Sequence, residues 1–147
     1  MYLAKELNTI PSRVKRHKQF NRKGFSMNFS QPTTILRTFD ETKSHEFYVD
    51  YLGFTIDWEH RFANDMPLYM QVSKDHCVLH LSEHHGDGTP GTVIRIECTD
   101  IKANHRELQS KNYASLNPGI NETPWSKLEL SLADPFGNKL IFFEPRD

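Results

Sequence analysis

The stretch VLHLSEHHGDGTPG, residues 78–91, gathers His80, His84 and His85 with Glu83 and Asp87. Imidazoles and carboxylates at this density could bind a metal ion or move protons. His80-Leu81-Ser82-Glu83-His84 also spells H-x-x-E-H, a zinc-peptidase signature when it lies on a helix. That chemistry needs both histidines one turn apart on one helical face. Here Val78, Leu79 and Leu81 form a β-type run, and Gly86-Asp87-Gly88 follows at once. On a strand, positions 80 and 84 stand roughly 13 Å apart at ~3.3 Å per residue. Ligands of one zinc must each lie about 2 Å from it. The stretch therefore reads first as a strand end running into a solvated loop. A loop-built site on His84, His85 and Asp87 stays open.

The elements that carry these residues follow from periodicity. Residues 33–39, TTILRTF, alternate like a strand. The next segment, DETKSHEFYVDYLGF, reads as an amphipathic helix. Asp40 or Thr42 can cap it, Phe47, Tyr48, Tyr51 and Leu52 form its apolar stripe, and Gly53 ends it. Residues 54–62, 67–73 and 77–83 read as three strands of an antiparallel meander. The order then repeats. Residues 93–98 read as a strand, and 100–112 as a helix capped by Thr99 or Asp100. A loop, NPGINETP, leads to long strands over 125–134 and 138–145. Asp40 and Asp100 fall at equivalent helix starts, which suggests a duplicated βαβββ module and an α+β fold. Alternation places Tyr69, Gln71 and Ser73 on one face, and His80 and Ser82 on one face of the next strand. It also separates Trp125, Lys127, Glu129 and Ser131 from Leu128, Leu130 and Leu132.

Composition bounds the class. At 147 residues, 37% hydrophobic and 25% charged, the chain suits one globular body. No apolar run reaches the ~20 residues that span a bilayer, and no signal-peptide core opens the chain. Cys77 and Cys98 sit in alternating apolar stretches and read as reduced, mostly buried thiols of a cytoplasmic protein. Residues 1–26 hold seven Lys/Arg against one acid, leaving 11 basic and 18 acidic residues in the rest. A basic extension over 1–32, part-helical over Val14–Phe20, thus precedes an acidic body over 33–147. No nucleic-acid-binding motif accompanies the arm.

HEFYVDYLGFTIDW and PWSKLELSLADPFGNKLIFF together resemble the glyoxalase, bleomycin-resistance and dioxygenase (vicinal oxygen chelate) superfamily. F-Y-x-x-x-L-G-F and D-P-x-G-N are its common signatures, and the resemblance spans residues 33–145. It implies two βαβββ modules whose curled sheets enclose a cup. Many members hold a divalent metal there, at positions that fall on Thr33, Gly91 and Ile141 of this chain. Glycine and isoleucine side chains offer no donor, and Glu144 falls on the opposite strand face.

These departures resemble the metal-free bleomycin-resistance branch: homodimers that sequester the drug in crevices at the subunit interface. The resemblance implies no catalytic residue, no metal and no cofactor. It places Asp57, Trp58, Phe62, Ser82, Trp125 and Glu129 at the ligand, with Glu83 as an acidic neighbour; His84, in the histidine-rich loop, is a further candidate for the ligand's metal-chelating end. Trp58, Phe62 and Trp125 would stack on a flat heteroaromatic, and acidic neighbours would meet a cationic tail. Two rivals stay open. One is a metal-dependent lyase or dioxygenase with a rearranged site on His80, Glu83, His84 or His85. The other is an interaction module without a small-molecule ligand.

Overall fold

A computed structural model of the chain describes residues 27–125 and 127–145. The basic arm over 1–26, with the helix expected over Val14–Phe20, lies outside the described residues. Two four-stranded mixed sheets are present, each built from one βαβββ module. In the first, β1 (Thr34–Arg37), β2 (Thr55–His60), β3 (Tyr69–Lys74) and β4 (Cys77–Ser82) take the order β1-β4-β3-β2. In the second, β5 (Val93–Glu97), β6 (Ile120–Glu122), β7 (Lys127–Ala133) and β8 (Lys139–Pro145) take the order β5-β8-β7-β6. β1 runs parallel to β4 and β5 parallel to β8, while the other neighbours are antiparallel. The α+β duplication read from the sequence is therefore the observed fold. β6 is an addition: three residues inside NPGINETP, too short to show a period, complete the second module.

The first helix also differs from expectation. A single turn, α1 (Glu41–Ser44), is capped by Asp40, whose carboxylate accepts from the Lys43 N–H at 2.9 Å. It widens into a π-helix over His45–Tyr51, and the Leu52 N–H reaches the Phe47 carbonyl five residues back. The wider turn brings Phe47, Tyr48 and Tyr51 all into the core at 1% exposure or less. The second helix, α2 (Ile101–Lys111), is capped by Asp100 through the Ala103 N–H. Glu144 adds to this end, its carboxylate accepting from the Asp100 and Ile101 N–H groups at 3.2 and 2.9 Å. Anionic oxygens on orphan helix N–H groups are favourable.

The two signature segments meet in the interior. Tyr48 Oη donates to Asp134 at 2.6 Å across 86 residues of chain. The other Asp134 oxygen accepts from the Phe136 and Asn138 backbone N–H groups, closing the Asp-Pro-Phe-Gly-Asn turn. Gly137 holds φ +90° there, which a side chain would strain. Asn138, fully buried, bridges back to the first module by donating to the Arg37 carbonyl at 2.9 Å. Tyr113, which follows α2, stacks on Tyr51 at 4.8 Å and packs edge-on against Phe47. One apolar cluster runs through both modules, from Leu36 and Met70 to Leu130 and Leu140. The helices thus share one face of each sheet with the core, and the opposite face is left uncovered by it.

Candidate ligand-binding site

The uncovered face of the first sheet carries most of the nominated residues. Register puts Tyr69, Gln71 and Ser73 of β3 opposite Ser82, His80 and Val78 of β4. Facing pairs share a side, so these point away from Met70, Val72, Leu79 and Leu81, which are buried. β2 contributes more than simple alternation allows. Ile56 pairs with Val72 and Trp58 with Gln71, so Asp57 is an extra residue, a β-bulge. The bulge turns consecutive side chains, Asp57 and Trp58, onto the same face.

There the Trp58 indole lies parallel to the Tyr69 ring, with centroids 5.8 Å apart and planes at 5°. His80 packs edge-on against both rings at 5.3 Å. Phe62 sits edge-on to His60 at 4.8 Å and to His84 at 5.9 Å. Trp58 is 41% and Phe62 75% exposed. Large rings left this open carry apolar area that a partner could cover.

Beneath the rings runs a continuous hydrogen-bond chain. Tyr69 Oη meets His80 Nδ1 at 2.7 Å, and His80 Nε2 meets Gln71 Oε1 at 3.0 Å. Gln71 Nε2 donates to Asp57 Oδ2 at 2.9 Å, and Ser73 Oγ donates to Asp57 Oδ1 at 2.8 Å. Burial, and then the charge of Asp87, push the Tyr69 phenol up, so it stays protonated. Asp87 itself accepts from Ser82 Oγ at 2.9 Å, which folds the GDG loop back over β1. Gly88 approaches the Ile35 carbonyl so closely that a Cβ there would stand 3.0 Å from it. Glycine at this position lets the loop lie flat.

The nominated acids are engaged within the chain. Asp57 holds Gln71 and Ser73, and Asp87 holds Ser82. Glu83 accepts from the Leu68 N–H at 2.7 Å. Glu129 pairs with Arg95 on the open face of the second sheet. There Arg95 and Lys127 both lie over the Phe143 ring, at 4.8 and 4.7 Å. Trp125 departs from expectation: it sits in the turn between β6 and β7, 64% exposed, and β7 begins only at Lys127. Thr123 and Pro124 keep the chain in a turn, with the Thr123 N–H donating to the Lys127 carbonyl at 2.8 Å. Asp57, Trp58, Phe62, Ser82 and His84 therefore form one neighbourhood, Glu83 borders it, and Trp125 and Glu129 lie in the other module. The sequence reading did not nominate Tyr69, Gln71 or His80 as ligand contacts, although alternation placed them on this face.

The residues do not fit this superfamily's metal. Ile141 does lie on the open face of the second sheet, opposite Ser131 and Arg95, but carries no donor atom. Glu144 is committed to the start of α2. Both ring nitrogens of His80 are hydrogen-bonded and one Glu83 oxygen accepts from the Leu68 N–H, so a rearranged site would have to rest on His84 and His85. A different trio, Glu41, His45 and Glu59, brings ligand atoms within 4.8 Å of one another. Arg61 already pairs with Glu41 there, and His45 with Glu59 at 3.2 Å. Cys77 and Cys98 are free thiols, half-buried where the sequence suggested mostly buried, and burial pushes both up. No helix among the described residues is long and apolar enough to cross a membrane.

Two βαβββ modules, each with one sheet face that the core leaves uncovered, define the fold class. Residues 18–147 match the family described as glyoxalase superfamily protein, and the chain belongs to that superfamily. The match begins inside the basic arm. No curated protein sequence matches the chain significantly. Three solved structures show the shared fold. The bleomycin resistance determinant of transposon Tn5 superposes with a TM-score of 0.63 at 20% identity, over 81% of this chain and all (100%) of that one. A bleomycin-binding protein complexed with bleomycin gives 0.61 at 21%, over 80% and 100%. TnmS3, an antibiotic-binding protein from Streptomyces sp. CB03234, gives 0.59 at 21%, over 82% and 100%.

Proposed function

We propose that this protein sequesters a flat, bulky small molecule on the aromatic face of its first sheet, without transforming it. The observation that carries this reading is the exposed Trp58 indole stacked parallel on Tyr69, flanked by Phe62, His60 and His84. Such a platform offers ring stacking favourable by ~0.5–1.5 kcal/mol per pair beyond area burial. Solved relatives that bind bleomycin or other antibiotics support a bleomycin-type glycopeptide as the ligand class. Two copies of the chain would close the crevice, covering apolar residues that one copy leaves open, Ile35, Trp58 and Val93 among them. Trp125, at the hairpin tip, is then available to reach a ligand from the second copy. Resistance, on this reading, follows from mass action alone: bound drug is withdrawn from its target.

Calorimetric titration with metal-free and copper-loaded bleomycin tests the proposal. The expected result is one drug per subunit at micromolar or better affinity, with quenching of tryptophan fluorescence. Absence of heat and of quenching with both forms would reject bleomycin as the ligand class. A stoichiometric divalent ion that survives dialysis would instead favour an enzyme.

A further inference from the structure

The hydrogen-bond chain under Trp58 has a fixed direction, and the direction says what a ligand must bring. An ionised carboxylate only accepts, so Asp57 requires the NH₂ end of Gln71 to face it. The Gln71 carbonyl oxygen is thereby turned to His80, and an oxygen acceptor requires a proton on Nε2. A neutral imidazole with Nε2–H has a bare Nδ1, which can only accept. While the imidazole is neutral, Tyr69 therefore donates its O–H to Nδ1. What remains on Tyr69 Oη is lone pairs. Ser73 reinforces the sense of the chain by donating to the second oxygen of Asp57, which leaves that carboxylate no reason to release Gln71.

We propose that Asp57, through Gln71 and His80, makes Tyr69 Oη an acceptor-only group beside the Trp58 platform, so that this face selects flat ligands carrying an N–H or other hydrogen-bond donor at the ring edge. The proposal deepens, and rests on, the reading that this face binds a flat molecule. Tyr69 is the contact residue. Asp57 and Gln71 are positioning residues that act through His80. Ring-matched ligands with an oxygen acceptor at the same place meet lone pair against lone pair and lose the bond.

The test uses two neutral tricycles of one shape, carbazole with its N–H and dibenzofuran with an oxygen there. Tryptophan fluorescence titration of the full chain should give about three- to tenfold tighter binding of carbazole, the span of one net hydrogen bond. Tyr69→Phe should bring both affinities together while both still bind. Nitrogen-15 spectra of labelled histidine supply a readout that mere loss of packing would not move. His80 should be the Nε2–H tautomer in the native chain, and Asp57→Asn should give a mixture of tautomers with a reduced preference for carbazole. An Nδ1–H tautomer in the native chain overturns the proposal, as does equal or tighter binding of dibenzofuran. Equal binding leaves the flat-ligand reading standing and removes this inference alone. Selection of carbazole with no response to bleomycin removes the drug class and keeps it. Binding of neither tricycle removes both.

Discussion

The two open sheet faces share a scaffold and differ in chemistry. On the first sheet a bulge doubles the side chains that β2 delivers, and rings stack over a neutral-to-acidic hydrogen-bond chain. The second sheet has no register shift, and its open face carries Arg95, Lys127 and Glu129 around a single ring, Phe143. Strand order and pairing are the same, so the pleat alone does not make a binding platform. One inserted residue on an edge strand puts two consecutive side chains, Asp57 and Trp58, onto an exposed aromatic face. The carboxylates differ too. On the first face they organise neighbouring hydroxyl and amide groups, whereas on the second Glu129 neutralises a guanidinium.

Both faces depend on the clasp between modules, so breaking it should have the largest effect. Asp134 is 6% exposed and accepts from Tyr48, from Asn138 and from two backbone N–H groups. Asp134→Ala leaves several buried donors unsatisfied, at ~1–3 kcal/mol for each. We expect a loss of about 3–5 kcal/mol, read as a lower urea midpoint with m unchanged. Asp57→Ala, at an exposed bulge, should lose no more than about 1 kcal/mol. A comparable loss at both positions would erase the distinction between clasp and platform. Next in size is the platform itself. Trp58→Ala should weaken bleomycin binding by about 30-fold, near 2 kcal/mol for a buried aromatic anchor. Phe143→Ala on the other face should change it less than threefold. Equal losses would mean that the second face contacts the ligand as closely as the first.

This division also explains what could be read from the sequence. Two-residue alternation placed Tyr69, Gln71 and Ser73 together, and His80 with Ser82, because β3 and β4 pair without interruption. The FYVDYLGF and DPFGN segments gave the superfamily, and the structure shows why they are legible. They are the clasp, where Tyr48, Asp134 and Asn138 have few tolerable substitutes. The rest was hidden by cross-strand geometry. Asp57 is a bulge only by count against β3, which no single strand reveals. Trp125 looked like a strand start because turn residues and strand residues adjoin there. The commitments of Glu83 and Glu129 lie with Leu68 and Arg95, 15 and 34 residues away. The π-helix has the same apolar stripe as an α-helix over so few residues.

The clasp carries the larger pH dependence, and Tyr69 on the open face adds to it in the same sense. Burial, with the Asp134 charge and hydrogen bond adding to it, pushes the Tyr48 phenol far up. Burial likewise raises Tyr51 and Tyr113. The unfolded chain releases a tyrosine proton near pH ~10, while folded Tyr48 keeps it. Above that pH the native state binds more protons than the unfolded one, so stability falls as pH rises. It is fully present below the unfolded value. The slope for Tyr48 is about 1.4 kcal/mol per pH unit at most. Urea midpoints between pH 8 and about 11 should show this decline. Tyr48→Phe should start lower at neutral pH, having lost the bond to Asp134, and decline less steeply.

The smallest expected effect bears most directly on whether one face or two serve the ligand. Glu129 is the acid that a cationic drug tail would seek on the second sheet, yet Arg95 already holds it. The Arg95 side chain is 43% exposed, so solvent and salt screen the pair, and such pairs contribute about 0–1 kcal/mol. Glu129→Gln should therefore shift the urea midpoint little and weaken bleomycin by no more than about two- to threefold, an effect that fades at high salt. Arg95→Gln frees the carboxylate and should strengthen binding by a similar factor if the tail reaches it. A tenfold loss on Glu129→Gln, insensitive to salt, would place the cationic end of the drug in a desolvated contact on the second face. Trp58 and Glu129 would then belong to one crevice, with the two faces brought together across a pair of chains.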